Sequence, residues 1–129
     1  MFNLINIIHK PFSIGITDPV NKEYIFAKIA LTNLGVTTSG TYERFFELNG
    51  EQFSHIINPF TLTPVKKIIS STVISADMIL LDVLATALVL ASCDFREAIM
   101  KIFSHSDALV IENNKIVFCS EKIAKLIDI

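Results

Sequence analysis

Apolar residues run almost unbroken through Ser75–Ser92, read as Ser-Ala-Asp-Met-Ile-Leu-Leu-Asp-Val-Leu-Ala-Thr-Ala-Leu-Val-Leu-Ala-Ser. Ala, Leu and Met dominate, and no Gly or Pro interrupts them, so a helix is predicted over about 76–92. Ser75 stands where an N-cap is wanted, and Asp77 adds negative charge to the first turn. A helix that is apolar all round is expected to be buried. Past the first turn two polar positions break the run, Asp82 and Thr86, and their spacing puts them on one face a turn apart.

A carboxylate inside so apolar an element needs a partner, because burying it bare is very costly. Together an Asp and a Thr hydroxyl offer hard oxygen ligands of the kind that Mg2+ or Ca2+ takes. The ordinary alternative pairs Asp82 with an Arg or Lys elsewhere and returns the Thr86 hydroxyl to a carbonyl of its own helix. A membrane span is rejected: the apolar stretches flanking Asp82 fall far short of the roughly 20 residues needed to cross.

Elsewhere the pattern alternates. Phe12–Thr17 predicts a strand ending at the turn signal Asp18-Pro19, followed by a loop through Asn21-Lys22-Glu23. Tyr24–Leu31 predicts a second strand, with Ile25, Ala27, Ile29 and Leu31 on one face. Val36-Thr37-Thr38 is a short extended piece ending at Ser39-Gly40. Thr41–Leu48 and Glu51–Ile57 flank Asn49-Gly50, the favoured two-residue hairpin turn, in which both central residues need positive φ. Asn58–Lys67 holds Pro59 and Pro64 and is predicted to be a loop. Ile68–Ile74 predicts the strand leading into the long helix. Phe95–Phe103 has apolar residues at helical spacing, with Asp94 as its expected cap. Ala108–Glu112 and Lys115–Cys119 predict a hairpin around Asn113-Asn114, and Ser120–Ile127 a short last helix. The whole, 1–129, reads as one α+β domain: an antiparallel sheet with helices packed on one face.

Composition narrows the class. The chain has 129 residues, 51% of them apolar and 19% charged, which describes a well-buried globular chain. A net charge of −2 gives no reason to expect nucleic acid as a partner. Two cysteines, Cys93 and Cys119, form no disulfide framework. The apolar N-terminus lacks a basic leading region and a small-residue cleavage site, so no signal peptide is expected. The apolar fraction is high for a small monomer, and part of that surface is expected to meet another domain or chain.

Three places could carry chemistry. In Thr37-Thr38-Ser39-Gly40-Thr41-Tyr42, a Gly among hydroxyl residues could present backbone N–H groups and hydroxyls to a phosphate; a plain turn or bulge at Gly40 explains the same residues. In Ser54-His55-Ile56-Ile57-Asn58-Pro59, His55 falls at a strand end beside a Pro-containing loop. It could move a proton or contact an aromatic ligand, or be a simple surface histidine. The Asp82/Thr86 pair is the third. His9 and His105 have no supporting context, no Cys/His spacing suggests zinc, and no P-loop, GxGxxG or GxSxG pattern is present.

In order along the chain, Phe12–Ile16 with Pro19, Thr38-Ser39-Gly40-x-Tyr42-x-Arg44, His55-Ile56-Ile57-x-Pro59-x-Thr61 and Asp82-x-Leu84-Ala85-Thr86-Ala87-Leu88 resemble the C-terminal half of the FAD:protein FMN transferases, the ApbE family. The resemblance implies binding of FAD and a divalent cation, usually Mg2+. It also implies cleavage of the FAD pyrophosphate with release of AMP, and transfer of FMN to a Thr or Ser hydroxyl of an acceptor flavoprotein; some members instead hydrolyse FAD. By similarity Asp82 and Thr86 are metal ligands, His55 is a catalytic or ring-contacting residue in the flavin site, Ile56 contacts FAD through its backbone, and Ser39-Gly40 help form the pocket. Such a site suits the chemistry, since a hard cation stabilises charge on phosphate oxygens as a pyrophosphate breaks.

The sequence departs from the family pattern. After His-Ile-Ile the family usually has Asp-Pro-Arg-Thr-Gly; here Asn58 replaces the Asp, Phe60 the Arg and Leu62 the Gly, and Thr41 stands where Asp is common after Ser-Gly. Losing the Gly is expected to alter the loop's path. Family members are roughly twice this length by resemblance, and their N-terminal half carries further flavin contacts, another metal ligand and a membrane-anchoring signal. The family is often exported and lipid-anchored. The expectation is therefore half a transferase, active with a second chain supplying the N-terminal half or as a homo-oligomer. The alternatives are a non-catalytic flavin- or nucleotide-binding or interaction module of the same fold, or a remnant without selected activity.

Overall fold

The computed structural model describes residues 10–128. The N-terminal stretch weighed above as a leader, and His9 within it, lie outside the described residues. Eleven strands and three helices follow: β1 Phe12–Thr17, β2 Ile25–Leu31, β3 Gly35–Gly40, β4 Phe45–Leu48, β5 Glu51–Ser54, β6 Ile57–Asn58, β7 Thr63–Pro64, β8 Ile69–Ser75, α1 Met78–Leu90, α2 Cys93–Ile102, β9 Ser106–Glu112, β10 Lys115–Cys119, α3 Glu121–Leu126 and β11 Ile127–Asp128.

The fold is α+β with antiparallel pairing throughout. Its centre is a four-stranded sheet in the order β10-β9-β8-β3. Every residue of β8 is buried, because both faces of this sheet are covered. Alternation then divides its side chains. Ile69, Val73, Ala108 and Val110 face α1 and α2, where they meet Leu81, Leu84, Ala85, Leu88, Val89 and Met100. Ile74, Leu109 and Ile111 face the other way, toward Ile16, Ala27, Ile29, Leu31 and Ile123. That second layer is a small sheet, β1-β2-β11, with α3 beside it. Two larger sheets and two separate hairpins, β4–β5 and β6–β7, thus stand where the sequence suggested one sheet, and α3 packs with the second large sheet rather than alongside α1 and α2. Pairing of β11 with β2 joins residues nearly a hundred apart, which no local pattern announces.

The hairpin turns are as the sequence requires. Asn49 and Gly50 have φ of 53° and 79°, and Asn113 and Asn114 have 48° and 62°, the pair of left-handed residues of a type I′ turn. The predicted Pro-rich loop contains a minimal hairpin, β6–β7.

The long helix is shorter than expected and differently capped. Asp77, not Ser75, is its N-cap: the Asp77 carboxylate accepts from the N–H groups of Ile79 and Leu80. Ser75 instead ends β8, where its hydroxyl accepts from Asp77 N–H and from the Ser106 hydroxyl. Ser92, rather than Asp94, is the N-cap of α2, leaving Asp94 in the first turn. α1 packs on β8 and β3 through Leu81, Leu84, Ala85 and Leu88. Its far side is open, with Ile79 85% and Val83 65% exposed; a sheet beneath the helix can bury only one side of it.

Candidate functional site

The open side of α1 borders a cleft of about 580 Å3. Three stretches distant in sequence meet there. β3 supplies Thr37, Thr38, Ser39 and Gly40, the following turn Glu43 and Arg44, the β5–β6 junction His55, Ile56 and Ile57, and α1 Asp82, Thr86 and Leu90. All six residues singled out from the sequence (Ser39, Gly40, His55, Ile56, Asp82 and Thr86) line this one cleft.

The β3 register places Ser39 opposite Ser71 on β8, on the face that α1 covers. The Ser39 hydroxyl meets the Thr86 hydroxyl at 3.2 Å. Thr86 is thus bonded across to the sheet rather than back to a carbonyl of its own helix. Asp82 is exposed, and among the described residues no Lys, Arg or His lies within ion-pair distance of it. The expected basic partner of Asp82 is therefore missing among the described residues, and so is the burial that called for one: α1 leaves Asp82 facing water, where a carboxylate is stable alone. Gly40 is held close to the Tyr42 ring, and a Cβ there would overlap ring atoms of Tyr42. Burial of Tyr42 against this backbone pushes its phenol above the ordinary value.

His55 is oriented by main chain. The Arg44 carbonyl accepts from the His55 N–H at 3.1 Å and lies 2.9 Å from His55 Nδ1. A carbonyl can only accept, so Nδ1 carries the proton and Nε2 of the neutral ring is left as an acceptor. Ile56 is buried. Its N–H is given to the Ser54 hydroxyl and its carbonyl accepts from Val65 N–H, so backbone contact with a ligand falls to the carbonyl's second lone pair.

The altered loop keeps its turn. Asn58 Oδ1 accepts from Phe60 N–H at 2.9 Å and Thr61 N–H at 3.3 Å, as an Asp in its place would. Leu62 has φ of 56°, so the position where the family has Gly does need a left-handed backbone, and Leu62 adopts it. Phe60, in the place of the family's Arg, is 94% exposed.

Hard oxygens dominate the cleft: two carboxylates, Asp82 and Glu43, and the hydroxyls of Thr37, Ser39 and Thr86, with one guanidinium, Arg44; the Thr38 hydroxyl lies on the other face of β3, bonded to Thr72 at 2.8 Å. Asp82 and Thr86 suit a cation of the magnesium type, which commonly takes one or two protein carboxylates and completes its shell with water and phosphate oxygens. Among the described residues no group of three or more His, Cys, Asp or Glu forms a self-sufficient cage. Sequence reasoning missed Glu43, Leu90 and the role of the Arg44 carbonyl. Glu43 and Arg44 lay inside a stretch read as strand, and a backbone carbonyl leaves no mark in a sequence.

Comparison with known proteins agrees with this frame. The ApbE family profile matches residues 5–110. A FAD:protein FMN transferase of Rhodobacter capsulatus is 38% identical over 82 residues, covering 64% of this chain and 16% of that protein. One from Treponema pallidum is 35% identical over 111 residues, covering 84% and 31%. Among solved structures, the ApbE protein of Thermotoga maritima superposes with a TM-score of 0.79 at 30% identity, over 95% of this chain and 40% of that one. The apo flavinyl transferase ApbE of Pseudomonas stutzeri gives 0.59 at 27%, over 90% and 36%. The chain belongs to the ApbE family. It spans well under half the length of these relatives.

Proposed function

We propose that this chain forms part of a flavin transferase: it holds FAD across the cleft beside α1, and the bond broken is the pyrophosphate of FAD. The acceptor is a Thr or Ser hydroxyl of a flavoprotein, which takes FMN while AMP leaves. The observation that carries this reading is the convergence of Ser39, Gly40, His55, Ile56, Asp82 and Thr86 on one cleft of about 580 Å3, within the range of small-molecule sites. Names of the relatives, FAD:protein FMN transferase, support the same substrate.

The roles follow from the chemistry of each group. Asp82 and Thr86 would hold Mg2+, and the bound ion would withdraw charge from the phosphate oxygens. Ser39 fixes the Thr86 rotamer through their shared hydrogen bond. The Nε2 lone pair of His55 is available to receive the proton of the acceptor hydroxyl. Ile79 and Val83, exposed on either side of Asp82, offer an apolar border for a second chain or further part of the fold that completes the site. No helix among the described residues is long and apolar enough to cross a membrane.

A second reading is a flavin- or nucleotide-binding module without turnover. It is favoured by Phe60, which puts an exposed ring where the family pattern has a cation. Release of AMP from FAD and Mg2+, followed for the wild type and Asp82→Ala with the completing part of the fold supplied, separates them. Loss of AMP in Asp82→Ala supports the transferase reading; equal AMP from both contradicts it. Heat of FAD binding without AMP from either selects the binding module.

A further inference from the structure

The geometry points to a second site, for a tetrahedral oxyanion of the phosphate type, built around Arg96 on the far side of Leu90 from the cleft. This inference does not rest on the flavin reading. Arg96 lies on α2 and is only 4% exposed. Its Nε donates to the Leu88 carbonyl at 3.0 Å, satisfying one of the open carbonyls at the end of α1. That is the one protein hydrogen bond of its side chain among the described residues. The four terminal N–H donors of the fork remain, and no carboxylate among the described residues lies within ion-pair distance of them. Among the described residues only the Ser70 and Ser71 hydroxyls are buried without a partner, so the terminal nitrogens of Arg96 keep access to solvent and are free to meet an anion.

The cavity that Arg96 lines holds about 410 Å3, between the β6–β7 hairpin and the ends of α1 and α2. Lys66, Lys67, Thr61 and Thr63 also line it, and Glu112 is its single acid. Glu112 is already engaged by Lys67 at 2.8 Å. Lys66 is held at 3.5 Å by Glu51, an exposed residue that does not line the cavity. Of the three cations lining the cavity, Arg96 alone has no carboxylate within ion-pair distance among the described residues, in a chain whose net charge is −2. A planar fork beside ammonium groups and threonine hydroxyls is the donor set that phosphate oxygens take.

The test is a titration of the full chain with inorganic phosphate, AMP or acetate, read by calorimetry and by the side-chain Nε–H resonance of Arg96. Saturable phosphate binding that shifts this resonance, and that weakens about tenfold in Lys66→Ala, is expected. Arg96→Gln should abolish it, but that variant also loses the bond to Leu88 and can misfold. Lys66→Ala, at an exposed side chain, leaves that bond alone and keeps the test decisive. AMP binding more tightly than phosphate would assign the oxyanion to a nucleotide, and equal affinities to free phosphate. No saturable binding, binding unchanged in Lys66→Ala, or acetate binding as well as phosphate would overturn the proposal.

Discussion

The hydroxyls of Ser39 and Thr86 lie 3.2 Å apart although 47 residues separate them in the chain. This contact ties the middle of α1 to β3 at the floor of the cleft. Removing either partner should cost about 1 kcal/mol, the usual net value of such a bond. Ser39→Ala, Thr86→Val and the double variant, unfolded in urea, should show a non-additive coupling of similar size. Strict additivity would mean that the contact does not hold the helix.

Leu62 sits in a left-handed backbone conformation that costs a non-glycine residue roughly 1–2 kcal/mol. It is 79% exposed, so its side chain returns little of this by packing. Leu62→Gly should therefore raise stability, by about 0.5–1 kcal/mol after the extra entropy of Gly in the unfolded chain is set against the relief. Thermal unfolding of this variant should show a higher midpoint; a lower one would mean that the Leu62 side chain contributes more than its exposure implies.

These residues also show what was legible in the sequence. The β1 strand, both type I′ hairpins and the presence of α1 could be read because each follows a local rule: alternation, turn chemistry or helix-forming composition. The Asn58–Leu62 turn was less legible, since Asn58 keeps the side-chain acceptor of an Asp while Leu62 conceals the demand for positive φ. Exposure of Ile79 and Val83 was not legible, because composition says which residues are apolar and not how many sides of a helix will be covered. Ser75 and Asp77 both suited an N-cap, and the choice fell to tertiary contact: Ser106 engages Ser75. The candidate site was legible only as an ordered set of motifs, since no single residue in it stands out. The oxyanion cavity at Arg96 was not legible at all, because it depends on distant segments meeting.

Asp18 links two distant turns. Hydrogen bonds from Asn21 N–H, and also from Val20 N–H and the Asn114 side chain, hold its carboxyl below the ordinary value despite some opposing desolvation. A depressed carboxyl contributes stability above its unfolded value of about 3.9 and loses it as pH falls through the folded value. Asn114→Ala, which removes one of these bonds at 3.1 Å, should destabilise the protein at neutral pH, and this deficit should shrink on acidification below about pH 4. A deficit that stays constant down to pH 2 or so would assign the effect of Asn114 to its turn alone.

The central claim is that the Asp82 carboxylate and the Thr86 hydroxyl grip a hard cation next to the phosphates of FAD. Calorimetric titration of the full chain with FAD, in Mg2+ and again in excess chelator, tests it most directly. The wild type should bind FAD more tightly by about tenfold or more with Mg2+ present, and Asp82→Ala should lose that difference while unfolding at the same temperature. FAD affinity that is identical with and without Mg2+, or a Mg2+ effect that survives Asp82→Ala, would contradict the account.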